Sequence, residues 1–175
     1  MCEECQRHGN KKPRPPERQI SATRPLQLLG VDVVQFQRKR TLVTVEYYSG
    51  FLTYDTLYSE TTEAVIKVLN NVFINFGLPE RIICDNGPCF KSEKFRCFCD
   101  QLDVGHVTSS PYHHQSNGRA EREIAIVEQI LKKSASDTDI TKTLIAYLDT
   151  PISGTLPSPA EQFYSSLSMS MKPTP

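Results

Sequence analysis

Three acidic residues lie where their carboxylates could work together. Asp32 interrupts the apolar stretch LLGVDVVQF, where an ionised carboxylate is costly unless a partner satisfies it. Asp85 ends the apolar stretch RIIC, and Glu121 falls in the first turn of a predicted helix. If the two stretches are neighbouring strands and the helix packs over their ends, the three carboxylates converge on one point.

Three like charges at one point raise one another's pKa, and divalent cations relieve that conflict. Oxygen ligands with open coordination positions suit Mg²⁺ or Mn²⁺, which keep waters and bind phosphate oxygens. Two such ions about 3.5–4 Å apart can activate a hydroxyl and stabilise the leaving oxygen of a phosphodiester. Asp32, Asp85 and Glu121 are therefore predicted to be metal ligands and catalytic residues for phosphodiester chemistry.

Each acid also has a simpler interpretation when it is considered alone. Asp85 in the sequence DNGP is typical of a turn whose side chain accepts hydrogen bonds from nearby amides. Glu121 near a helix N-terminus is typical of a solvated residue stabilised by the helix dipole. Only Asp32 lacks a ready local explanation, so the functional interpretation depends on the three acids together.

The rest of the chain predicts an α/β fold that could position these acids. LLGVDVVQF, TLVTVEYY and FLTYDTLY are rich in β-branched and aromatic residues, and they predict an antiparallel meander with a tight turn at Ser49 and Gly50. RIICD and DVGHVTS predict two further short strands. Helical spacing of apolar residues predicts helices over residues 61–77, 91–101, 117–135, 140–149 and 158–165. This order favours a five-stranded mixed sheet flanked by helices.

Charge and cysteine content narrow the class of protein. The net charge is zero, but residues 6–24 carry six Lys or Arg against one acid, which indicates an extended basic arm or a solvated linker. Cys2 and Cys5 form half of a zinc site, and the chain supplies no second half, so zinc is not expected. Four more cysteines fall in apolar segments and are predicted to be small buried side chains: Cys84, Cys89, Cys97 and Cys99.

No stretch approaches the roughly 18 consecutive apolar residues of a membrane span, and the first residues, MCEECQRHGNKK, lack the apolar run of a signal peptide. The sequence therefore favours a soluble intracellular protein without a membrane partner.

Four stretches, in order, resemble the catalytic core of retroviral-type integrases, and in particular those of gypsy-type LTR retrotransposons. They are LGVDVV with TLVTVEYYSGFLTYDTL, LPERIICDNGPCFKSEKF, HVTSSPYHHQSNGRAERE and LIAYLDTPISGTLPSPAEQFY. The 35 residues between Asp85 and Glu121 match the spacing of this DDE family. The resemblance implies an RNase H-like fold and a strand transferase that trims the 3′ ends of element DNA and joins them to target DNA. Asp32, Asp85 and Glu121 would then hold two Mg²⁺ ions.

The resemblance also implies that the polar loop before Glu121 lies against DNA. Side-chain donors there can reach bases or phosphates, Tyr112 can stack on a base, and the arginines can bind phosphate. His113 either touches DNA or is solvated. The implied DNA-binding residues are Tyr112, His113, Gln115, Ser116, Asn117, Arg119 and Arg122.

The sequence also departs from the family. His114 stands where a proline is usual, Leu148 and Asp149 replace an Arg-Asn pair, and the Gly-Arg expected after SPAEQFY is absent. Cys2 and Cys5 resemble the last two ligands of the family's N-terminal zinc domain. We therefore divide the chain into the end of a zinc domain with a basic linker (1–24), a catalytic core (25–166) and a disordered tail (167–175). We expect the chain to be a truncated or host-captured copy of such an integrase.

The expected partners are DNA, both element ends and target, and further copies of the chain in a homodimer or higher oligomer. The expected location is the nucleus, with a cytoplasmic stage before import if the chain belongs to an element. Two alternatives stay open at the level of sequence. One is a catalytically silent DNA-binding or interaction module derived from a retroelement, and the other is an RNase H-type nuclease that cuts RNA in hybrids.

Overall fold

A computed structural model of the protein describes residues 21–36, 39–108, 125–130, 134 and 136–170. The strands are β1 (Leu29–Phe36), β2 (Lys39–Glu46), β3 (Leu52–Leu57), β4 (Arg81–Cys84) and β5 (Gly105–Thr108). The helices are α1 (Thr62–Phe76), α2 (Pro88–Lys91), α3 (Glu93–Gln101), α4 (Asp137–Asp149) and α5 (Pro159–Ser170). Residues 125–130 are also helical.

The five strands form one mixed sheet with the order β3-β2-β1-β4-β5. β1, β2 and β3 pair antiparallel in sequence, whereas β4 lies parallel to β1 and β5 lies parallel to β4. The predicted meander and the predicted five-stranded mixed sheet are both confirmed. The order places β1 at the centre of the sheet, so the strand that carries Asp32 is flanked by β2 and β4.

Side-chain alternation along β1 separates two cores, one on each face of the sheet. Leu29 and Val31 pack with α1 and α3, while Val34 packs with residues 125–130 and α4 on the other face. Because successive side chains of a strand point to opposite faces, Asp32 shares the face of Val34. The acid of β1 therefore points to the face that residues 125–130 cover.

The turn between β2 and β3 is built around a buried acid, Glu46, which is 2% exposed. Its carboxylate accepts hydrogen bonds from the Ser49 amide at 2.8 Å, the Ser49 hydroxyl at 2.6 Å and the Leu26 amide at 3.2 Å. Gly50 has a φ of 78°, a conformation that glycine adopts without strain, and this agrees with the predicted turn. Glu46 is therefore a structural residue that joins the turn to the segment before β1.

Short polar side chains fix the helices around the sheet. Thr61 caps α1 by accepting from the Ala64 amide, and α1 ends at Gly77, which has a φ of 101°. Ser92 caps α3 by accepting from the Phe95 amide, and it also accepts from the Thr62 hydroxyl at 2.9 Å. This second bond connects α3 to the first turn of α1.

Several details differ from the sequence prediction. α2 was not predicted, since four residues are too few for a helical periodicity to show. Cys97 is exposed, so the prediction that it is buried is wrong, whereas Cys84, Cys89 and Cys99 are buried. Cys97 is exposed because α3 is amphipathic and buries only Phe95 and Cys99.

The last two helices are longer than predicted. α4 begins at Asp137 because Ser136 caps it, accepting from the Asp139 amide. α5 reaches Ser170 and so includes residues 167–170, which the sequence assigned to a disordered tail. Residues 171–175 lie outside the described part of the chain.

Candidate metal and DNA site

Asp32 and Asp85 lie beside each other because of the register of β1 and β4. Val31 pairs with Cys84 in the parallel ladder, and each acid is the next residue along its chain. Val31 and Cys84 pack into the same core, so Asp32 points to the opposite face, and Asp85 follows the end of β4 next to it. The parallel pairing thus brings two of the three predicted ligands together.

The Asp32 carboxyl is half-buried and surrounded by like charge. Burial raises the pKa of Asp32 above its ordinary value, and the charges of Asp85 and Glu128 raise it further. The Val33 amide donates to Asp32 Oδ1 at 2.8 Å and acts in the opposite direction, lowering the pKa. The net electrostatic environment disfavours the ionised carboxylate, and a divalent cation would reverse that preference.

Asp85 is held by the loop that leads into α2. Its Oδ1 accepts from the Gly87 amide at 2.9 Å, which is the turn interaction that the sequence DNGP predicted. A Cβ atom on Gly87 would lie 2.9 Å from that same oxygen, so the close approach needs a glycine. Asp85 can therefore form the turn and at the same time place its carboxylate beside that of Asp32.

Glu128 is a residue of this region that the sequence analysis missed. It is half-buried in the helical segment 125–130, between Val127 and Ile130, which are both buried. The available signal was its position seven residues after Glu121, since two helical turns return to nearly the same face. Asp32 thus faces a second acid besides Asp85.

The remaining predicted site residues lie outside the described part of the chain. They are Glu121, the loop residues Tyr112, His113, Gln115, Ser116, Asn117, Arg119 and Arg122, and the half zinc site Cys2 and Cys5. Within residues 21–36, 39–108, 125–130, 134 and 136–170, no three His, Cys, Asp or Glu side chains are grouped so that they could hold a metal ion. Asp32 and Asp85 are a carboxylate pair of the kind that Mg²⁺ or Mn²⁺ prefers.

A thiol–imidazole contact lies directly beside Asp85. Cys84 Sγ is 3.1 Å from His106 Nε2, and this contact connects β4 to β5. Burial raises the pKa of the Cys84 thiol, with the charge of Asp85 adding to the effect, and burial lowers the pKa of His106. A neutral thiol and a neutral imidazole make Cys84 a structural neighbour of the site, because only a thiolate would be nucleophilic.

Comparison with known families assigns this fold and site to a class. The integrase core domain family matches residues 22–114, more than half of the chain, and the chain belongs to this family. The matched region includes Asp32 and Asp85 with all five strands.

Relatives among curated proteins include retroviral polyproteins. The chain is 42% identical over 80 residues to the Gag-Pro-Pol polyprotein of simian retrovirus SRV-1, an alignment that covers 46% of this chain and 4% of the polyprotein. It is 36% identical over 103 residues to the Pol-related polyprotein of the mouse intracisternal A-particle MIA14, which covers 57% of this chain and 12% of that protein. The chain therefore spans only a small part of the relatives it matches.

Solved structures show the same fold at lower sequence identity. A chain in the structure of the simian T-cell lymphotropic virus intasome in complex with the PP2A regulatory subunit B56 gamma has a TM-score of 0.80 and 22% identity, covering 99% of this chain and 66% of that one. The catalytic core domain of BIV integrase has a TM-score of 0.71 and 20% identity, covering 83% and 99%. The HTLV-2 integrase catalytic core in complex with magnesium has a TM-score of 0.66 and 21% identity, covering 81% and 99%. The predicted RNase H-like integrase fold is thereby confirmed.

In the described part of the chain, no helix combines the length and the apolar character that crossing a membrane would require.

Proposed function

We propose that the chain is the catalytic core of a DNA strand transferase that processes 3′ ends and joins them to target DNA. The observation that carries the proposal is the adjacency of Asp32 and Asp85, which directly follow the paired residues Val31 and Cys84 of β1 and β4. Burial and like charge there disfavour the ionised Asp32 carboxylate unless a cation is bound. Family membership supports the same chemistry, and a related integrase core of the same fold is known in complex with magnesium.

In the proposed mechanism, Asp32, Asp85 and Glu121 would hold the divalent ions, which would supply activation of the attacking hydroxyl and stabilisation of the leaving oxygen. Asp32 contributes a half-buried carboxylate on a central strand, which reduces competition from water. Asp85 contributes a carboxylate whose direction is set by the Gly87 amide. Asp32 stands on a paired strand and Asp85 is held by the Gly87 amide, so little reorganisation is needed when substrate arrives.

We further propose that DNA lies along the loop that precedes Glu121. Family membership and the polar, donor-rich sequence of the loop support this placement. The proposed contacts are Tyr112, His113, Gln115, Ser116, Asn117, Arg119 and Arg122. Phosphate contacts of this kind give affinity that falls with salt, whereas stacking by Tyr112 gives affinity that depends little on salt.

We also propose that residues 25–166 form the catalytic core and that the chain comes from a gypsy-type retroelement. We propose further that it acts in the nucleus as an oligomer. The solved relatives support the oligomeric part, since one is an intasome and the HTLV-2 core occurs in trimeric and dimeric forms.

The test is cleavage of branched DNA that mimics the joined product, with Mn²⁺ as the ion. The wild-type chain should resolve the branch, and Asp85→Asn should lose about two to three orders of magnitude in rate, as expected when a group that stabilises the transition state is removed. Equal rates for wild type and Asp85→Asn contradict the enzymatic proposal. Binding of DNA without any turnover favours a silent DNA-binding module, and cleavage confined to RNA–DNA hybrids favours an RNase H-type nuclease.

A further inference from the structure

We propose that Lys91 binds a backbone phosphate of the DNA that occupies the site at Asp32 and Asp85, and so helps to hold that DNA in place. The inference rests on the proposed function and adds to it a DNA contact from α2, outside the loop already proposed to bind DNA.

Backbone hydrogen bonds connect Lys91 to the Asp85 carboxylate through one residue, Gly87. The Gly87 amide donates to Asp85 Oδ1 at 2.9 Å, and the Gly87 carbonyl accepts from the Lys91 amide at 3.1 Å. Because a helix rises about 1.5 Å per residue, the four residues from Gly87 to Lys91 cover about 6 Å. Lys91 therefore lies one helical turn from the residue that orients Asp85.

Packing anchors the backbone at Lys91 while its side chain stays exposed. The two residues before it, Cys89 and Phe90, are buried in the core that α1 and α3 form against the sheet. The Thr62 hydroxyl donates to the Cys89 carbonyl at 3.0 Å, which connects α2 to the first turn of α1. Lys91 and Asp85 are both exposed. α2 thus presents a cation to the solvent from an anchored backbone close to the site.

The charge of Lys91 is available to a ligand, in contrast to the charges of the cations that follow it. Lys94 is paired with Glu63 at 2.7 Å, and Arg96 is paired with Glu93. Among the residues that the structure describes, no acid lies within ion-pair distance of the Lys91 ammonium. A lysine ammonium without a carboxylate partner can donate charge-assisted hydrogen bonds to phosphate oxygens.

The spacing of DNA phosphates allows Lys91 to contact a strand that reacts at the two acids. Phosphates of one strand follow one another about every 3.4 Å along the duplex axis. A strand whose reacting phosphate lies at Asp32 and Asp85 therefore carries further phosphates over the distance that separates Lys91 from Gly87. Such a contact positions the strand without reading its sequence, and its contribution to affinity falls with salt.

The experiment measures the salt dependence of DNA binding by the full chain, by Lys91→Gln and by Lys91→Arg. Anisotropy of two fluorescein-labelled duplexes of unrelated sequence, at a constant low Mg²⁺ concentration, gives the affinity between about 50 and 200 mM NaCl. Lys91→Gln should bind both duplexes about three- to tenfold more weakly at the lowest salt. The slope of log affinity against log salt should also become shallower, by up to about 0.9. Lys91→Arg keeps the charge and should bind as the wild type does.

Arg81→Gln is the matched control. Arg81 is exposed at the first residue of β4, whereas Asp85 follows the last residue of that strand, so one positive charge is removed at the opposite edge of the sheet. Glutamine also keeps the Cγ atom that lies against Gly105. A weaker affinity and a shallower slope in Lys91→Gln alone support the phosphate contact. If Lys91→Gln binds both duplexes as Arg81→Gln does, or loses affinity for only one duplex, Lys91 does not have this role.

Cleavage of branched DNA separates this inference from the proposed function. If the wild type cleaves and Asp85→Asn does not, while Lys91→Gln binds DNA as the control does, the transferase proposal stands and the role of Lys91 is wrong. If Asp85→Asn cleaves as the wild type does, the transferase proposal is contradicted, and with it the placement of DNA on which the role of Lys91 depends.

Discussion

At the scale of single residues, the Asp32 carboxyl is half-buried on a central strand and faces the charges of Asp85 and Glu128. Burial and like charge both oppose ionisation, so the metal-free protein is less stable than it would be with a neutral side chain at this position. A cation that binds only the folded state would restore that stability. Asp32 therefore connects the stability of the chain to occupancy of the proposed metal site.

We expect Asp32→Asn to raise the free energy of unfolding of the metal-free protein at neutral pH by about 0.5–2 kcal/mol. Mn²⁺ should raise the Tm of the wild type and leave that of the variant unchanged, which thermal unfolding with and without the ion would measure. Asp55→Asn is the control, because burial also raises the pKa of Asp55 on β3, and this variant should keep the Mn²⁺ response. An equal Mn²⁺ response in wild type and Asp32→Asn would contradict the assignment.

The same residue predicts a pH dependence. Because the pKa of Asp32 is raised in the folded state, the folded protein binds more protons there than the unfolded chain does. The contribution of Asp32 to the free energy of unfolding is therefore lost as the pH rises from the pKa of this carboxyl in the unfolded chain through its higher pKa in the folded protein. The gap in unfolding free energy between Asp32→Asn and wild type should widen over that interval, in urea titrations without metal. If this difference in unfolding free energy stays constant with pH, the Asp32 carboxyl has the same pKa in the folded and unfolded states.

At the scale of elements, the loop between β4 and α2 sets the direction of Asp85. Gly87→Ala would place a Cβ atom 2.9 Å from Asp85 Oδ1, too close for the carboxylate to stay in place. The φ of Gly87 is −58°, which alanine adopts easily, so we expect stability to change by less than about 1 kcal/mol. Mn²⁺ affinity should nevertheless fall by about tenfold, as measured by titration.

Gly154→Ala is the control for that substitution, since a Cβ atom there meets no other atom within 4 Å. It should leave Mn²⁺ affinity unchanged. Wild-type affinity in Gly87→Ala would show that the orientation of Asp85 is irrelevant to the ion.

The turn between β2 and β3 depends on the hydrogen bonds that the buried carboxylate of Glu46 accepts. Glu46→Ala would leave the amides of Leu26, Tyr48 and Ser49 without their acceptor, and we expect a loss of about 3 kcal/mol in the free energy of unfolding. Glu46→Gln keeps one acceptor oxygen, so its free energy of unfolding should fall by less than that of Glu46→Ala. Urea unfolding of the two variants measures the difference, and an unchanged Glu46→Ala would show that the buried bonds contribute nothing net.

At the scale of the whole molecule, the three strands of the meander and the longer helices could be predicted because their periodicities are long and regular, and the four-residue β4 because it is an apolar run. The four-residue α2 could not, and neither could the exposure of Cys97, which depends on which face of α3 meets the core. The proximity of Asp32 and Asp85 required the parallel pairing of β1 with β4, which sequence could only suppose. Glu128 was missed because its effect on Asp32 depends on how segment 125–130 packs against the sheet.

The measurement that tests the central claim most directly is Mn²⁺ binding by the full chain and by three single variants, Asp32→Asn, Asp85→Asn and Glu121→Gln. If the three carboxylates share the ions, each substitution should weaken binding by at least about tenfold, with the fold intact by circular dichroism. If any one of the three variants binds Mn²⁺ as tightly as the wild type, that residue is not a ligand and the three-carboxylate site is wrong.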